Sequence, residues 1–438
     1  MSTLSAFLPD ILLMLYSLVV SILARSLKLI ALIIPKLRVQ LKDRPQIQEV
    51  ARDLALERAK FRHCAIFFCS SAGEYEQALP IIARLQAQND TYVQVLFFSK
   101  SGLDYIKARG EKTPCMLVPV TDSIWQWGSL FSALLPTITC VVRHELWPGF
   151  LCVARRFGHL YLIDASFSQG ERNSRFWGFM RRKLLQNFDH IFAVSQYDFN
   201  YFTSSCKLPS ASVTVTSDTK YDRVVERARA RPEIVKSLRK RFELLAPDGV
   251  THRLVLGSAY LFEVDLLLNA LRDTETLIQK WQIIIVPHYL KRANIDAISA
   301  KIETEGFRPL RYSTLTDQSA KSKFLIIDKM GMLAEIYGTA DAALVGGALH
   351  HQVHNVLEPA SHGLAIAFGP FYKNSQEAIH LVNVGLAAVV SDGAEFRRWW
   401  QGLDSNGQFH RQQMLDATKG LTGAADLIIA KWRQQMDA

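Results

Sequence analysis

Short apolar runs recur along most of the chain, and segments with the helical spacing of apolar positions, such as Glu76–Gln88, separate several of them. Such runs predict strands buried on both faces, and helices between them predict a parallel sheet. The first series of predicted strands is Ala65–Cys69, Tyr92–Phe98, Met116–Val118, Thr137–Val142, Leu160–Ile163, Ile191–Val194 and Val213–Val215. The second series is Leu254–Leu256, Ile283–Val286, Phe324–Ile327, Ala342–Val345, Leu364–Phe368 and Ala387–Val390.

A charged helical segment, Lys220–Phe242, lies between the two series and indicates a bridge between two halves. A chain of 438 residues is also too long for one ordinary core. We therefore predict two Rossmann-like doubly wound α/β domains, residues 35–218 and 219–438, that face each other across a cleft. Ligands of such sheets bind at the carboxyl ends of the strands, so the loops there are the candidate sites.

The first 34 residues differ from the rest. Ile11–Ala24 carries no charge, and after Arg25 and Lys28 the apolar pattern resumes through Ile34. The basic residues that follow are Lys36, Arg38, Lys42 and Arg44. We predict that residues 1–34 form a membrane-anchoring helix that spans the bilayer or lies in its interface, with the following chain on the cytoplasmic side. The alternative is a buried core helix.

The composition of the chain limits the classes of partner that the protein is expected to bind. A net charge of +10 favours an anionic partner such as a phosphorylated substrate or acidic lipid. Nucleic acid is not expected, because the sequence has no motif of a nucleic-acid-binding fold. The six cysteines are scattered through apolar runs and are predicted to be reduced. No Asp-x-Asp motif occurs, so we expect no metal held by paired aspartates.

The stretch Asp341–Pro370 contains the clearest ligand signal. Ala342–Val345 is a predicted strand, and Gly346-Gly347 allows a sharp turn and close approach of a ligand. A helix is predicted to begin near Asn355 and to carry Glu358 in its first turn, where the carboxylate could accept hydrogen bonds from ribose. This arrangement favours a nucleotide site over an ordinary βαβ turn.

Three further loops of the second half follow predicted strands and could converge on the same nucleotide. Their candidate donor-binding residues are Ser258, His288, Lys329, Met330 and Gly331.

Two loops of the first half carry carboxylates. The first predicted strand ends in Ser70-Ser71-Ala72-Gly73-Glu74, where Gly73 allows a donor to approach and Glu74 could act as a general base. Acidic residues also favour a first helical turn for electrostatic reasons alone. Glu145, in Glu145-Leu146-Trp147-Pro148, is a candidate acceptor residue or a solvated glutamate beside a packed tryptophan.

The segment 172–183 mixes basic and aromatic residues and includes Arg175 and Arg181. This composition suits an acidic headgroup or a phosphorylated lipid acceptor, although a solvated basic helix face is equally consistent with it.

These motifs resemble the Kdo transferases, which are membrane-associated GT-B glycosyltransferases of family 30 that move 3-deoxy-D-manno-octulosonic acid (Kdo) from CMP-Kdo to lipid A precursor. The matching elements are Ser71-Ala72-Gly73-Glu74, Glu145-Leu146-Trp147-Pro148, Thr219-Lys220-Tyr221-Asp222, Gly257-Ser258, Met330-Gly331, Gly346-Gly347 and His354-Asn355-Val356-Leu357-Glu358-Pro359. The resemblance implies that Glu74 is the general base and that Met330, Gly331, Asn355 and Glu358 line the CMP pocket.

The chain departs from the family in two loops. Relatives carry Pro-Arg-His where this chain has Pro287-His288-Tyr289, so an arginine expected on the donor phosphate is missing, and His288, Lys291 or Arg292 could replace it. Relatives often read Asn-Ala-Arg at Asp164-Ala165-Ser166.

The resemblance implies an inverting enzyme at the cytoplasmic face of the inner membrane, with CMP-Kdo, lipid A precursor and anionic inner-membrane lipids as partners and no cofactor. The alternatives are a GT-B transferase with another nucleotide-sugar and a non-catalytic, membrane-bound nucleotide-binding protein.

Overall fold

The structure of the chain is a computed structural model that describes residues 15–22, 26, 44, 47–119, 121–167, 175–272, 276–316, 318–406 and 411–436. It divides into two compact units. Residues 1–223 and 423–438 form the first unit, and residues 224–422 form the second.

Among the described residues, the first unit contains a seven-stranded sheet in the order β3-β2-β1-β4-β5-β6-β7. All neighbouring strands are parallel. The strands are β1 His63–Cys69, β2 Thr91–Phe97, β3 Cys115–Leu117, β4 Ile138–Val142, β5 His159–Ala165, β6 His190–Ala193 and β7 Val213–Val215.

Helices cover both faces of this sheet, which is why its strands are apolar throughout rather than alternating. In β1, Ile66 and Phe68 belong to one core layer, whereas Phe67 and Cys69 belong to the other. The helices are Ile47–Arg58, Ala72–Gln86, Lys100–Ala108, Ile124–Leu134, Pro148–Phe157, Arg175–Leu185, Gln196–Asn200 and Ala424–Met436, with a π turn at Tyr201–Ser205 and a 3₁₀ turn at Ser210–Ser212.

The second unit repeats this architecture, with seven parallel strands among its described residues in the order β10-β11-β9-β8-β12-β13-β14. The strands are β8 His252–Ala259, β9 Trp281–Pro287, β10 Pro309–Arg311, β11 Phe324–Ile326, β12 Ala342–Val345, β13 Ala365–Phe368 and β14 Ala387–Val389. Its helices are Pro232–Leu245, Leu261–Leu271, Arg292–Thr304, Leu333–Tyr337, Leu357–Ser361, Gln376–Asn383, Gly393–Asn406 and Arg411–Gly420, with a 3₁₀ turn at Tyr312–Thr314.

The predicted fold class of two Rossmann-like doubly wound domains is confirmed, and each predicted strand is present. The sequence did not predict β10, because Pro309-Leu310-Arg311 is short and half-buried at a sheet edge.

The domain boundary was predicted between residues 218 and 219, whereas the compact units divide between 223 and 224 within the helix Lys220–Arg229. The C-terminal helix Ala424–Met436 also returns to the first unit. Its Ile428 and Trp432 are buried in the same core layer as Ile81 of the helix Ala72–Gln86, so apolar burial drives this return.

Of the predicted membrane segment, residues 15–22 are described and are helical, together with residue 26. The other residues of that prediction lie outside the described ones. Within the part of the chain that the structure describes, no helix is both long enough and apolar enough to cross a membrane.

Candidate active site

Both sheets reverse their strand order at one place, between β1 and β4 in the first unit and between β8 and β12 in the second. In open parallel sheets the carboxyl ends of the two strands flanking such a reversal form the usual ligand site. Glu74 and Glu145 follow β1 and β4, Ser258 lies near the end of β8, and Asn355 follows β12. The topology therefore places the principal predicted residues of each unit at its switch point.

Glu74 occupies the first turn of the helix Ala72–Gln86, directly after β1. Ser71 is the N-cap, and its hydroxyl accepts a hydrogen bond from the backbone N–H of Glu74. The Oε2 atom of Glu74 in turn accepts a short hydrogen bond from the backbone N–H of Ser70. The carboxylate is thus fixed by the N-terminal loop, in the manner of a capping box, and is only 8% exposed.

Burial raises the pKa of Glu74 to about 7. The backbone N–H of Ser70 opposes this shift, the negative charge of Glu145 adds to it, and the positive charge of Arg143 opposes it. A carboxyl group that titrates near neutral pH can accept a proton from an alcohol without being permanently ionised, which suits a general base.

Glu145 lies close enough to Glu74 to raise the pKa of Glu74 electrostatically. Its Oε2 atom accepts a hydrogen bond of 2.9 Å from the indole N–H of Trp147. Trp147 packs edge-on against Phe68 and Phe98, with ring centroids 5.4 Å and 5.2 Å apart. Trp147 is therefore packed, and Glu145 is partly buried beside the candidate base. Contact of Glu145 with an acceptor stays a prediction.

A buried aspartate that the sequence analysis did not identify fixes this loop. Asp122 accepts hydrogen bonds from the backbone N–H groups of Gly149 and Phe150, at 2.6 Å and 2.7 Å, at the start of the helix Pro148–Phe157. It also accepts a hydrogen bond of 2.8 Å from the indole N–H of Trp127. A Cβ atom at Gly149 would lie 2.4 Å from the Asp122 carbonyl oxygen, so glycine is needed there.

In the second unit, a cluster of aromatic rings lies at the switch point. His288 stacks on Tyr260 and on His354, with 4.6 Å between ring centroids in each pair. The hydroxyl of Tyr260 is 3.2 Å from Nε2 of His354, and His350 packs edge-on against Tyr260 at 4.5 Å. The loops after β8, β9 and β12 therefore meet at these rings.

Burial and neighbouring histidines lower the pKa of His288 and His354. Both imidazoles are consequently neutral at pH 7 and can donate one hydrogen bond each to a ligand. His288, which was predicted to contact the donor, is exposed within this cluster. Tyr260 and His350 were missed, although an aromatic residue directly after Gly257-Ser258-Ala259 is a signal that the sequence contains.

The backbone around Ser258 is packed tightly against the glycine turn after β12. Ser258 has a left-handed φ of 53° and lies at a register shift between β8 and β9. A Cβ atom at Gly346 would lie 2.3 Å from the Ser258 carbonyl oxygen. Glu263, another residue not identified from the sequence, joins the two loops by accepting hydrogen bonds from the N–H groups of Tyr260 and Gly347, at 2.8 Å and 2.9 Å.

Asn355 and Glu358 lie where the sequence predicted them, around the start of a helix that is only five residues long, Leu357–Ser361. The Asn355 Oδ1 atom accepts a hydrogen bond of 2.9 Å from the N–H of Leu357. Burial raises the pKa of Glu358, while the positive charge of Arg227 lowers it and the negative charge of Glu335 raises it.

The remaining residues that were predicted to bind the donor substrate lie at exposed positions. Lys329 and Met330 are exposed, with Met330 at 82%, and Gly331 has a φ of 83°. Gly73, in the first unit, is exposed, and a Cβ atom there would meet only the Ser71 hydroxyl at 3.8 Å. These positions leave the backbone accessible to a ligand.

Arg181 was predicted to contact the acceptor, and in the structure its side chain packs against the protein. Its guanidinium lies over Phe167, 4.7 Å from the ring centroid, and donates a hydrogen bond of 3.1 Å to the hydroxyl of Tyr201. The side chain of Arg175 lies outside the described residues. Acceptor contact by either arginine stays a prediction.

Among the described residues, no group of three or more histidine, cysteine, aspartate or glutamate side chains could hold a metal ion. No disulfide joins any of the six cysteines, all of which lie in the described part of the chain.

Two Rossmann-like domains in one chain, each with candidate ligand loops at its switch point, are the architecture of the GT-B fold. Residues 44–223 match the family model of 3-deoxy-D-manno-octulosonic-acid transferase, or kdotransferase. The resemblance found in the sequence is thereby confirmed.

Two relatives named 3-deoxy-D-manno-octulosonic acid transferase match this chain over most of their length. The 3-deoxy-D-manno-octulosonic acid transferase of Aquifex aeolicus is 22% identical over 328 residues, which cover 75% of this chain and 80% of that protein. The transferase of the same name from Haemophilus influenzae is 23% identical over 321 residues, which cover 72% of each chain.

Solved structures support the fold alone. UDP-GlcNAc 2-epimerase from Neisseria meningitidis, solved with UDP-GlcNAc, matches with a TM-score of 0.58 at 14% identity over 85% of this chain and 100% of its own. A glycosyltransferase from Rickettsia africae matches with a TM-score of 0.52 at 9% identity over 85% of this chain and 98% of its own.

Proposed function

We propose that this protein is an inverting glycosyltransferase that transfers Kdo from CMP-Kdo to a hydroxyl of a lipid A precursor in lipopolysaccharide biosynthesis. The observation that carries the proposal is the position of Glu74, a buried carboxyl group at the switch point of the first sheet whose pKa is raised to about 7. The family of residues 44–223 supports the choice of sugar.

In the proposed reaction, Glu74 accepts the proton of the acceptor hydroxyl as the hydroxyl oxygen attacks the anomeric carbon of Kdo. The new C–O bond forms on the face opposite the leaving group, so the anomeric configuration is inverted. The bond between the anomeric carbon and the phosphate oxygen breaks, and CMP leaves with the electron pair.

The second unit supplies the groups that would hold CMP. Neutral imidazoles of His288 and His354 and the accessible backbone near Gly331 offer hydrogen-bond donors to the phosphate, and Glu358 offers a carboxylate to the ribose hydroxyls. His288 is the candidate for the role of the family arginine, since Lys291 and Arg292 show no ring contact with the cluster among the described residues.

We also propose that the protein acts at the cytoplasmic face of the inner membrane, held by its N-terminal segment. The helix 15–22 directs polar side chains toward the protein. The hydroxyl of Tyr16 donates to Asp122 at 3.1 Å, and the N–H of Ile124 donates to the Ser17 hydroxyl at 3.4 Å. Four apolar side chains of this helix are between 50% and 55% exposed: Leu15, Leu18, Val19 and Ile22.

A helix packed on a core in water is expected to bury its apolar side chains and expose its polar ones, and this helix does the reverse. The four exposed side chains follow the spacing i, i+3, i+4 and i+7, so they form one stripe. Residues 11–42 contain no acidic residue but five basic ones. An apolar stripe flanked only by positive charge suits the interface of an anionic bilayer.

The experiment that tests the activity combines purified protein, CMP-Kdo and tetraacylated lipid A precursor, with products read by mass spectrometry. We expect a mass increase of one or more Kdo residues, and no increase with Glu74→Gln. Transfer only from another nucleotide-sugar would replace the proposed donor. Nucleotide binding without transfer from any donor would favour the non-catalytic alternative.

A further inference from the structure

Arg143 lies at an unusual backbone position beside the candidate base. It is the first residue after β4 and has a left-handed φ of 66°, which is uncommon for a residue other than glycine, asparagine or aspartate. Its backbone N–H donates to the carbonyl oxygen of Ile163 at 2.9 Å. The turn directs the side chain toward the helix that carries Glu74, as its contacts show.

The guanidinium of Arg143 is held by two residues. Its Nε atom donates a hydrogen bond of 2.8 Å to the Gln77 Oε1 atom, and one terminal nitrogen is 3.7 Å from the Asp218 Oδ2 atom. Gln77 is three residues after Glu74 on the same helix, so it lies on the same helical face. Gln77 also donates from Nε2 to Asp218 Oδ1 at 2.9 Å, which closes a ring of three side chains.

A second buried connection fixes this ring to the sheet. The Thr219 hydroxyl donates to the Gln77 carbonyl oxygen at 2.6 Å and lies within hydrogen-bond distance of the Asp164 Oδ2 atom. The N–H of Thr219 donates to Asp164 at 2.8 Å. Asp164 and Thr219 are fully buried. The loops after β4 and β7 and the end of β5 are therefore all joined to the helix Ala72–Gln86 at the carboxyl end of the sheet.

We propose that Arg143 is a positioning residue that compensates the charge of Glu74, and that Gln77 and Asp218 hold its guanidinium in place for this purpose. The inference rests on the proposed role of Glu74 as the base. Neither a motif nor the resemblance assigned a role to Arg143, Gln77 or Asp218.

Electrostatics explain why such a residue is needed. Glu74 is buried beside a second carboxylate, Glu145, and both features favour the neutral form of Glu74. A base that stayed protonated at neutral pH could not accept the acceptor's proton. Arg143 supplies the positive charge that acts in the opposite direction.

Other ionisable groups lie around Glu74 and Arg143 on the neighbouring elements. They are Cys69 on β1, Glu145 after β4, Asp164 on β5, and Asp218 and Lys220 around the start of the helix Lys220–Arg229. Burial raises the pKa of the Cys69 thiol well above its usual range, so that group stays uncharged. Lys220 pairs with Asp218 at 3.8 Å and is part of the same charge balance.

The test measures the titration of Glu74 directly. In protein labelled with ¹³C at glutamate side-chain carboxyl groups, the Glu74 signal is assigned by its loss in Glu74→Gln. Arg143→Asn removes the charge while retaining a residue that tolerates a left-handed φ, so the loop should keep its shape. Arg143→Lys keeps the charge, and Gln77→Leu releases the guanidinium without removing it. Arg62→Gln is the matched control, because Arg62 is exposed just before β1, at the opposite end of the sheet.

We expect Arg143→Asn to raise the pKa of Glu74 by about 0.5–1 unit, because an opposite charge nearby is worth 1–3 units and this side chain is 43% exposed. Gln77→Leu should give a smaller rise, Arg143→Lys should restore most of the wild-type titration, and Arg62→Gln should leave it unchanged. The acidic limb of the kcat/KM profile should move in parallel with the NMR titration.

Different results would overturn the role of Arg143 and the role of Glu74 as the base. A Glu74 titration in folded Arg143→Asn that superimposes on the wild-type curve would overturn the role of Arg143, whatever the activity. A shifted titration in Arg143→Asn, together with full activity in Glu74→Gln, would retain the charge compensation and overturn Glu74 as the base.

Discussion

The carboxylate of Asp222 accepts hydrogen bonds from the backbone N–H groups of two residues about 200 positions later, Gly423 at 2.6 Å and Ala425 at 2.8 Å. These donors lie at the start of the helix Ala424–Met436, whose N–H groups have no partner within the helix itself. Asp222 is itself in the first turn of the helix Lys220–Arg229. The Asp222 side chain therefore holds the last helix of the first unit in place by hydrogen bonds to its N-terminus.

Asp222→Ala should destabilise the protein by roughly 1.5–3 kcal/mol, because it removes charged hydrogen bonds at a helix N-terminus. Chemical denaturation measures this loss. Asp416→Ala is the control, since its pairing with Lys419 is exposed and such pairs contribute little. Equal effects of the two substitutions would contradict the role of Asp222.

Replacing Glu74 should slow the chemical step while leaving binding intact. We expect Glu74→Gln to lower kcat roughly 10²–10⁴-fold with little change in KM, which is the usual contribution of general base catalysis. Glu57→Gln provides the control, because Glu57 is exposed and pairs with Lys60. Wild-type kcat in Glu74→Gln would exclude Glu74 as the base.

The raised pKa of Glu74 predicts opposite effects of pH on activity and on stability. Activity should rise with pH through about 7, as the base loses its proton. The folded-state pKa lies above the unfolded value, so the stability that this carboxyl contributes is present below the unfolded pKa and is lost as pH rises through 7. Glu74→Gln should therefore gain more in Tm over wild type at pH 8 than at pH 5.

Thermal unfolding of both proteins in the same buffers measures this difference. A Tm difference that does not change between pH 5 and pH 8 would show that Glu74 titrates at its ordinary value.

Glu358→Ala should weaken CMP binding by about ten- to a hundredfold, because a charged hydrogen bond to ribose is worth roughly 1.5–3 kcal/mol. Isothermal titration calorimetry with CMP gives the affinity. Glu303→Ala is the control, an exposed glutamate in the helix Arg292–Thr304. Unchanged affinity in a folded Glu358→Ala protein would remove Glu358 from the nucleotide site.

Polar substitution in the exposed stripe should reduce membrane binding without loss of folding. We expect the double variant Leu18→Asn, Val19→Asn to sediment less with anionic liposomes than wild type, because both side chains are half exposed and bury little surface in the protein. Leu56→Asn alters another exposed leucine in the same unit and should behave as wild type. Equal sedimentation of all three proteins would contradict a lipid contact through this stripe.

The sequence predicted the two sheets well because each strand is a local apolar run, and the carboxyl-end rule then located Glu74, Glu145, Asn355 and Glu358 without any knowledge of contacts. β10 was missed because Pro309 and Arg311 interrupt the apolar pattern. The roles of Gln77 and Asp218 could not be predicted, since these two residues are 141 positions apart in the sequence and their contact depends on strand order. The same holds for Tyr260, whose ring partners come from two other loops.

The return of the helix Ala424–Met436 to the first unit has a consequence for synthesis of the protein. Residues 224–422 emerge from the ribosome before this helix does, so the unit that is begun first is completed last. Until this helix is made, the apolar surface of the first unit that packs against Ile428 and Trp432 stays exposed on the nascent chain. Exposed apolar surface on a partly made protein favours aggregation and chaperone binding. A stalled or truncated product ending before residue 423 should therefore be retained by chaperones even though its second unit is complete.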